Sequence, residues 1–283
     1  VYQSTTDDQI IGLPAAAPAF GGSIILNLPA EIENKGVELA LNNIWASTED
    51  MTFSTAFNIS YNENLVTGLN ENIYFETGAV NGPGLSGAYA QRLSNNVPLF
   101  SFYMAEFTGF DSSGFPTYAD VDGNGVGDPD ADKKYVDADA LPDVNAGLSL
   151  NMTYKNWDFS SYFTGQFGFY VYNGTANAYF TKANIVKYRK VKTNVFNEPE
   201  AVGSSLAVST RFLEKGDFIR WQNASIGYNV PLSGDGVLDN LRLSLTGQNL
   251  LLFTDYSGVD PEVSAATGDL GSGVPTSGID YNS

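Results

Sequence analysis

The stretch Asp120-Val121-Asp122-Gly123-Asn124-Gly125-Val126-Gly127-Asp128 sets side-chain oxygens at loop positions one, three, five and nine, with Gly125 at the sixth, where a calcium loop turns sharply. Hard oxygen ligands at this spacing suit Ca²⁺. Val126 offers its carbonyl at position seven, and Asp130 or Asp132 can add a further carboxylate. At position twelve stands Ala131 rather than the bidentate Glu, so a helix-loop-helix calcium hand is not expected. Two readings stand: a calcium-held surface loop formed by Asp120, Asp122, Asn124, Val126, Asp128 and Asp132, or an acidic glycine-rich turn that stays solvated.

Other groups that could do chemistry are few. The chain has neither cysteine nor histidine, which removes disulfides, thiol nucleophiles, thiolate or imidazole zinc sites and every serine-histidine-aspartate triad. The carboxylate pairs Glu198 with Glu200 and Asp137 with Asp139 have no neighbours in sequence to perturb them, so they read as solvated and not catalytic. Tyr170, Tyr172, Tyr179, Phe180 and Tyr188 cluster in one stretch; they could stack on sugar rings, but packing as that stretch's own small core is the favoured reading. Asn173-Gly174-Thr175 matches a glycosylation acceptor, a tripeptide too common to carry weight. No enzyme is expected. With 14 basic against 32 acidic residues and a net charge of −18, the chain would be repelled by phosphate backbones, so nucleic acid is excluded as a partner.

The elements that position these groups read as strands. From Met51 to Tyr61 the odd positions are Met51, Phe53, Thr55, Phe57, Ile59 and Tyr61, while the even ones are small or polar. Val37, Leu39 and Leu41 repeat the pattern, as do Leu148, Leu150, Met152 and Tyr154, then Trp157, Phe159, Phe163, Phe167 and Phe169, and finally Leu241, Leu243 and Leu245. These runs of about 9 to 13 residues exceed the ordinary globular strand and match what a tilted strand needs to cross a bilayer. Charged residues are only 16% of the chain, well below the usual ~25%. Asn, Ser, Thr and Gly take their place, as suits a wall wet on one side and apolar on the other.

The joins come in two sizes. Ser47 to Asp50 and Tyr154 to Trp157 are tight turns, whereas Leu65 to Pro98 and Tyr170 to Thr210 are long, the asymmetry of an outer-membrane barrel with long outer loops. Thr175 to Lys190 lacks Gly and Pro and could hold a helix. Phe107 to Phe110 and Phe115 to Tyr118 flank the turn Asp111 to Gly114 and should form a hairpin that extends a strand beyond the membrane edge. No run is long enough for a spanning helix. No signal peptide is visible at Val1, and the chain reads as beginning within a longer structure.

Phe212-Leu213-Glu214-Lys215-Gly216-Asp217-Phe218-Ile219-Arg220-Trp221 and the following Gln222 to Pro231 resemble a signature near the C-terminus of SusC-like TonB-dependent transporters of Bacteroidetes. Leu241 to Leu250 and Tyr256-Ser257-Gly258-Val259-Asp260-Pro261-Glu262-Val263 are similar to that family's next strand and loop. Asn34 to Leu39 and Pro98 to Tyr103 add two more matches in the family's order. The resemblance implies an all-β fold in which residues 1–283 are the C-terminal portion of a transmembrane antiparallel barrel of about 22 strands, with about eight spanning strands in this chain. A TonB-contacting segment, a plug, the first part of the wall and a closing strand are expected outside this stretch, in a protein several times larger than 30.4 kDa.

The resemblance further implies import across the outer membrane of oligosaccharides or peptides, driven through TonB and shared with a SusD-like surface lipoprotein. Ser54, Asn58, Ser160, Thr164 and Gln166 would then face the lumen, and Phe53, Phe57, Phe159 and Phe163 the lipid. A rival reading is a secreted calcium-dependent β-sandwich that binds carbohydrate, which explains the acidity and aromatics but not the strand lengths.

Overall fold

Long alternating runs give strands with one greasy edge-to-edge face, and in the computed structural model they lie side by side in chain order. The structure describes residues 1–8, 10–14, 23–27, 29–82, 85, 87–186, 191–204, 206–232, 238, 240–265 and 276–280. The order is β1 (Tyr2–Thr6), a small pair β2 (Ile10–Pro14) and β3 (Ser23–Asn27), then β4 (Glu31–Ser47) and β5 (Met51–Thr67). Next come β6 (Phe75–Val80), β7 (Ala88–Leu93), β8 (Ser101–Ala105), β9 (Phe107–Phe110), β10 (Pro116–Tyr118) and β11 (Lys133–Asp139). The strands β12 (Val144–Tyr154) and β13 (Trp157–Phe167) follow, then β14 (Tyr170–Tyr172), α1 (Gly174–Tyr179), α2 (Ala183–Val186) and β15 (Leu213–Lys215). Last are β16 (Phe218–Asn229), β17 (Arg242–Thr254), β18 (Ser264–Ala265) and β19 (Thr276–Ser277).

Seven strands make one open antiparallel sheet, ordered β1-β4-β5-β12-β13-β16-β17. Among the described residues, six of them run eleven residues or more, fewer than the eight spanning strands expected, and β1 is a short edge. Register keeps the two faces distinct, with Asn43, Thr55 and Ser161 in one row of the mainly apolar face and Ile44 opposite Ser54 on the mainly polar one. Leu41, Phe57, Leu148, Phe163, Trp221 and Leu251 form one row across the sheet, with Phe163 stacked on Trp221 at 5.6 Å. Ser54, Asn151, Ser160, Ser225 and Thr246 form a row on the other face. Phe53 and Phe159 thus share a face with Phe57 and Phe163, and Asn58, Thr164 and Gln166 lie opposite, as the alternation predicts.

At the end with tight turns, Tyr154, Trp157 and Tyr228 stand side by side, with Trp157 and Tyr228 ring centroids 4.5 Å apart, a belt of amphipathic rings. Among the described residues no second sheet packs on the apolar face, which removes the sandwich reading: its core would be two interdigitating inner faces.

The other end carries a folded head. The four-stranded sheet β11-β8-β7-β6 packs with α1 around Phe102, Met104, Tyr172 and Ile279, each no more than 1% exposed. Burying such side chains contributes ~1.5–3 kcal/mol apiece. β4 and β5 reach 17 residues because their outer ends leave the apolar band and join this head, where Ile32 and Val66 are buried. The first long connection therefore starts after Thr67, not at Leu65, and holds six strands of its own.

Three further expectations change. Thr175 to Lys190 is not one helix: α1 stops at Tyr179, α2 begins at Ala183, and 187–190 lie outside the described residues. Thr181 and Lys182 break it, the Lys182 N–H donating to the Glu200 carboxylate at 2.9 Å instead of to a helical carbonyl. β9 and β10 do form a hairpin, its turn held by Ser113 and Phe115 N–H groups donating to Asp111 Oδ1 at 2.8 Å, but it is a separate ribbon of the head and extends no wall strand. Phe169 does not continue the β13 face: Gly168, at φ +82°, ends the strand and turns Phe169 into a cluster with Val171, Phe218 and Tyr256.

Candidate functional site

The aspartate loop links β10 to β11 and is built by its own carboxylates. Asp120 Oδ1 accepts from the Gly123 N–H at 2.8 Å and the Asn124 N–H at 3.2 Å, and its Oδ2 from Gly125 at 2.7 Å. Gly123 and Gly125 sit at φ +76° and +91°, left-handed conformations that side chains disfavour, so the sharp turn falls where the spacing places it. Asp122 Oδ1 accepts from Asn124, and Asn124 Oδ1 from Val126.

Asp132, wholly buried, closes the loop. Its carboxylate accepts backbone N–H bonds from Asp128 at 2.8 Å, Asp122 at 3.0 Å and Val121 at 2.8 Å, and these hold it below the usual carboxylate value.

Carboxylate oxygens of Asp120, Asp122 and Asp132 come within 4.8 Å of one another. Oxygens bound to one Ca²⁺ at 2.3–2.6 Å span that distance, so the three fit a single hard cation. Asp128 stands outside the group, its Oδ1 accepting from Asp130 and Ala131 N–H groups. Asp130 reaches outward to Lys133 at 4.0 Å, so of the two candidates for a further carboxylate it is Asp132 that lies with Asp120 and Asp122.

Both carboxylate pairs split. Glu198 and Asp137 are exposed, but Glu200 is buried and bidentate to Arg211, with Arg211 packed against Phe107, Phe110 and Phe212. The solvated reading fails for Glu200 because its cation arrives from the far end of the same connection. Asp139 is half-buried at a cavity of about 290 Å³ whose lining includes Asp137, Asp143, Lys215 and Asp217. Burial, with the Asp143 charge adding to it, pushes the Asp139 carboxyl up to about 6. Asp143 is raised by burial, then by Glu63 and Asp217.

Tyr172 is buried, and Tyr170, Tyr179 and Phe180 pack on the same core, so these rings serve the head; Tyr188 lies outside the described residues. Asn173 is buried too, its Oδ1 accepting from the Ala176 N–H to cap α1, a placement unlike that of a surface glycosylation acceptor.

One polar group on the hydrophilic face escaped sequence reasoning. Arg220, in the row of Asn58 and Thr164, reaches Asp260 at 2.8 and 2.9 Å and Glu262 at 2.6 Å, tying β16 to the segment after β17. Its signal was an arginine alone among the neutral polar residues of a strand.

No family model matches the chain. The chain is 31% identical over its whole length to TonB-dependent receptor P3 of Formosa agariphila, and 28% identical over 93% of its length to TonB-dependent receptor SusC of Bacteroides thetaiotaomicron. It spans 30% and 27% of those proteins. Its fold superposes on the RagAB peptide transporter with a TM-score of 0.73 at 24% identity, covering 92% of this chain and 30% of that one. All three are named as receptors or transporters and not as enzymes. An open, two-faced antiparallel sheet crowned by a folded head gives this chain the fold of a segment of a transporter β-barrel, and along its entire length it is similar to TonB-dependent receptors that include SusC.

Proposed function

We propose that the whole protein imports oligosaccharides or peptides across the outer membrane, energised through TonB and working with a SusD-like lipoprotein, this chain supplying the C-terminal part of the wall and its outer head. The observation that carries this reading is the separation of a mainly apolar face from a mainly polar one over six long strands. Phe57, Leu148, Phe163 and Leu251 meet lipid, while Ser54, Asn151, Ser160 and Ser225 line a hydrated lumen. A large lumen closed by a plug passes no solute by diffusion, hence the need for energy and for a surface protein that captures substrate. The two long connections, folded into one head, are the part of this chain that such a lipoprotein would meet.

The same reading places Ca²⁺ in the loop, held by Asp120, Asp122 and Asp132, with Asn124, Asp128 and the Val126 carbonyl beside it. The ion neutralises three facing carboxylates and so stiffens the head; no chemistry on the substrate is asked of it.

The test is affinity capture of the tagged full-length protein from native membranes, paired with uptake in cells lacking TonB. A lipid-anchored SusD-like subunit should be recovered with it over an interface above about 1,000 Å², and uptake should stop without TonB. Recovery of the receptor alone under mild detergent, or uptake unaffected by TonB loss, overturns the paired-importer reading.

A further inference from the structure

The apolar face is not evenly filled. The row Leu41–Phe57–Leu148–Phe163–Trp221–Leu251 is large throughout, but in the next row toward the head, Leu39–Ile59–Ala146–Gly165–Ile219–Phe253, the middle drops to Ala146 and Gly165. Beyond Gly165, the Phe167 ring lies down on the bare glycine, where an added Cβ would stand 3.0 Å from Cε2 and 3.1 Å from Cζ. What results is a groove of about 400 Å³ walled by Phe57, Leu148, Phe163, Phe167 and Ile219 and floored at Ala146.

The occupant follows from where the groove lies. Leu39, Leu41, Leu251 and Phe253 flank it on the same face, each about half exposed at 49, 54, 50 and 57%, so the groove is continuous with the surface that lipid covers. Water entering it would find hydrocarbon and aromatic rings in place of hydrogen-bond partners, and an empty groove would forfeit dispersion contacts along its walls. The groove also sits at the head end of the wall, in the half of the bilayer nearest the long connections.

We propose that this groove is a residence site for one acyl chain of an outer-leaflet lipid, held in preference to the rest of the wall. The proposal rests on the outer-membrane reading above. Between an acyl chain and the hydrophobic segment of a second protein, the groove favours the chain: it is small, bounded by rings, and lacks the polar rim expected of a protein interface.

The test uses the full-length receptor reconstituted in phosphatidylethanolamine vesicles doped with a phosphatidylethanolamine carrying a diazirine in its acyl chain. After photolysis, peptide mapping should find labelling at 144–150, 163–167 and Ile219 about tenfold above that at the more exposed Leu243 to Leu251, a preference of ~1.4 kcal/mol. Ala146→Leu, which fills the groove from its floor, should bring the two regions to parity while Leu243 to Leu251 keep their level. Should that variant fail to assemble, the wild-type map decides by itself. Even labelling along the wall overturns the residence site and leaves the membrane reading standing; a wall without any label overturns both.

Discussion

Glu200 and Arg211 meet through two parallel bonds of 3.1 Å, with the Glu200 side chain 1% exposed and the Arg211 side chain 14%. The pair closes the second long connection on itself, and Arg211 also lies against the rings of the β9–β10 hairpin. Removing one partner leaves the other buried without its counter-charge. Glu200→Ala should therefore destabilise the head by about 3–5 kcal/mol, read in the full-length protein as faster proteolysis between Lys182 and Arg211 with the wall still protected. Unchanged protection would show that the pair is not what holds the connection.

A charge on the apolar face has no water to solvate it. Phe57→Arg should cost ~2–4 kcal/mol near mid-membrane and block assembly, whereas the exposed Asn58→Arg on the opposite face is tolerated. Folding of the full-length variants into lipid bilayers measures the difference. Equal tolerance at both positions would remove the assignment of faces.

Asp122 is the carboxylate to change in the loop, because Asp120 and Asp132 also hold its backbone through three N–H bonds each. Calorimetric titration of the purified receptor should give Ca²⁺ binding heat that Asp122→Ala abolishes, and chelation should speed amide exchange at residues 120–132. A titration at millimolar Ca²⁺ without heat dependent on Asp122 leaves a solvated acidic turn.

Asp139 gives the head a pH dependence whose sign is fixed. Its carboxyl titrates at about 6 when folded, against about 3.9 in an unfolded chain, so between those values the folded state keeps a proton that the unfolded state has released. This stabilising contribution is full below about pH 4 and is lost as pH rises through 6. The head should melt higher at pH 5 than at pH 7.5. Asp139→Asn keeps the bond from the Leu141 N–H and should flatten that difference; a wild-type head indifferent to pH over this range would refute it.

The wall was legible because period-two alternation is a local code: Phe53 and Ser54 declare their faces whatever strand pairs with theirs. Asp120 and Asp122 were legible for the same reason, their bonds reaching no further than Gly125. Asp132 was named with them, but its burial and its three backbone bonds depend on how the chain turns at Asp128 and were not legible. Nor was the burial of Glu200, which spacing cannot show when the partner arrives after an irregular connection. The head was the largest omission. Its strands are short, and its decisive contacts join residues far apart, as where the buried Gln91 side chain donates to the Ser277 carbonyl across 186 positions.

That last contact bears on the order of assembly. Residues 276–280 thread into the head between its own elements: the Tyr172 N–H donates to the Gly278 carbonyl, the Asp280 N–H to the Tyr172 carbonyl, and Ile279 ends 1% exposed among residues from both long connections. The core of the head is therefore incomplete until a segment that follows β17 in the chain has been placed in it. Long-range closure of this kind is slow, so an assembling receptor should pass through a stage with a finished wall and an unlatched, protease-sensitive crown.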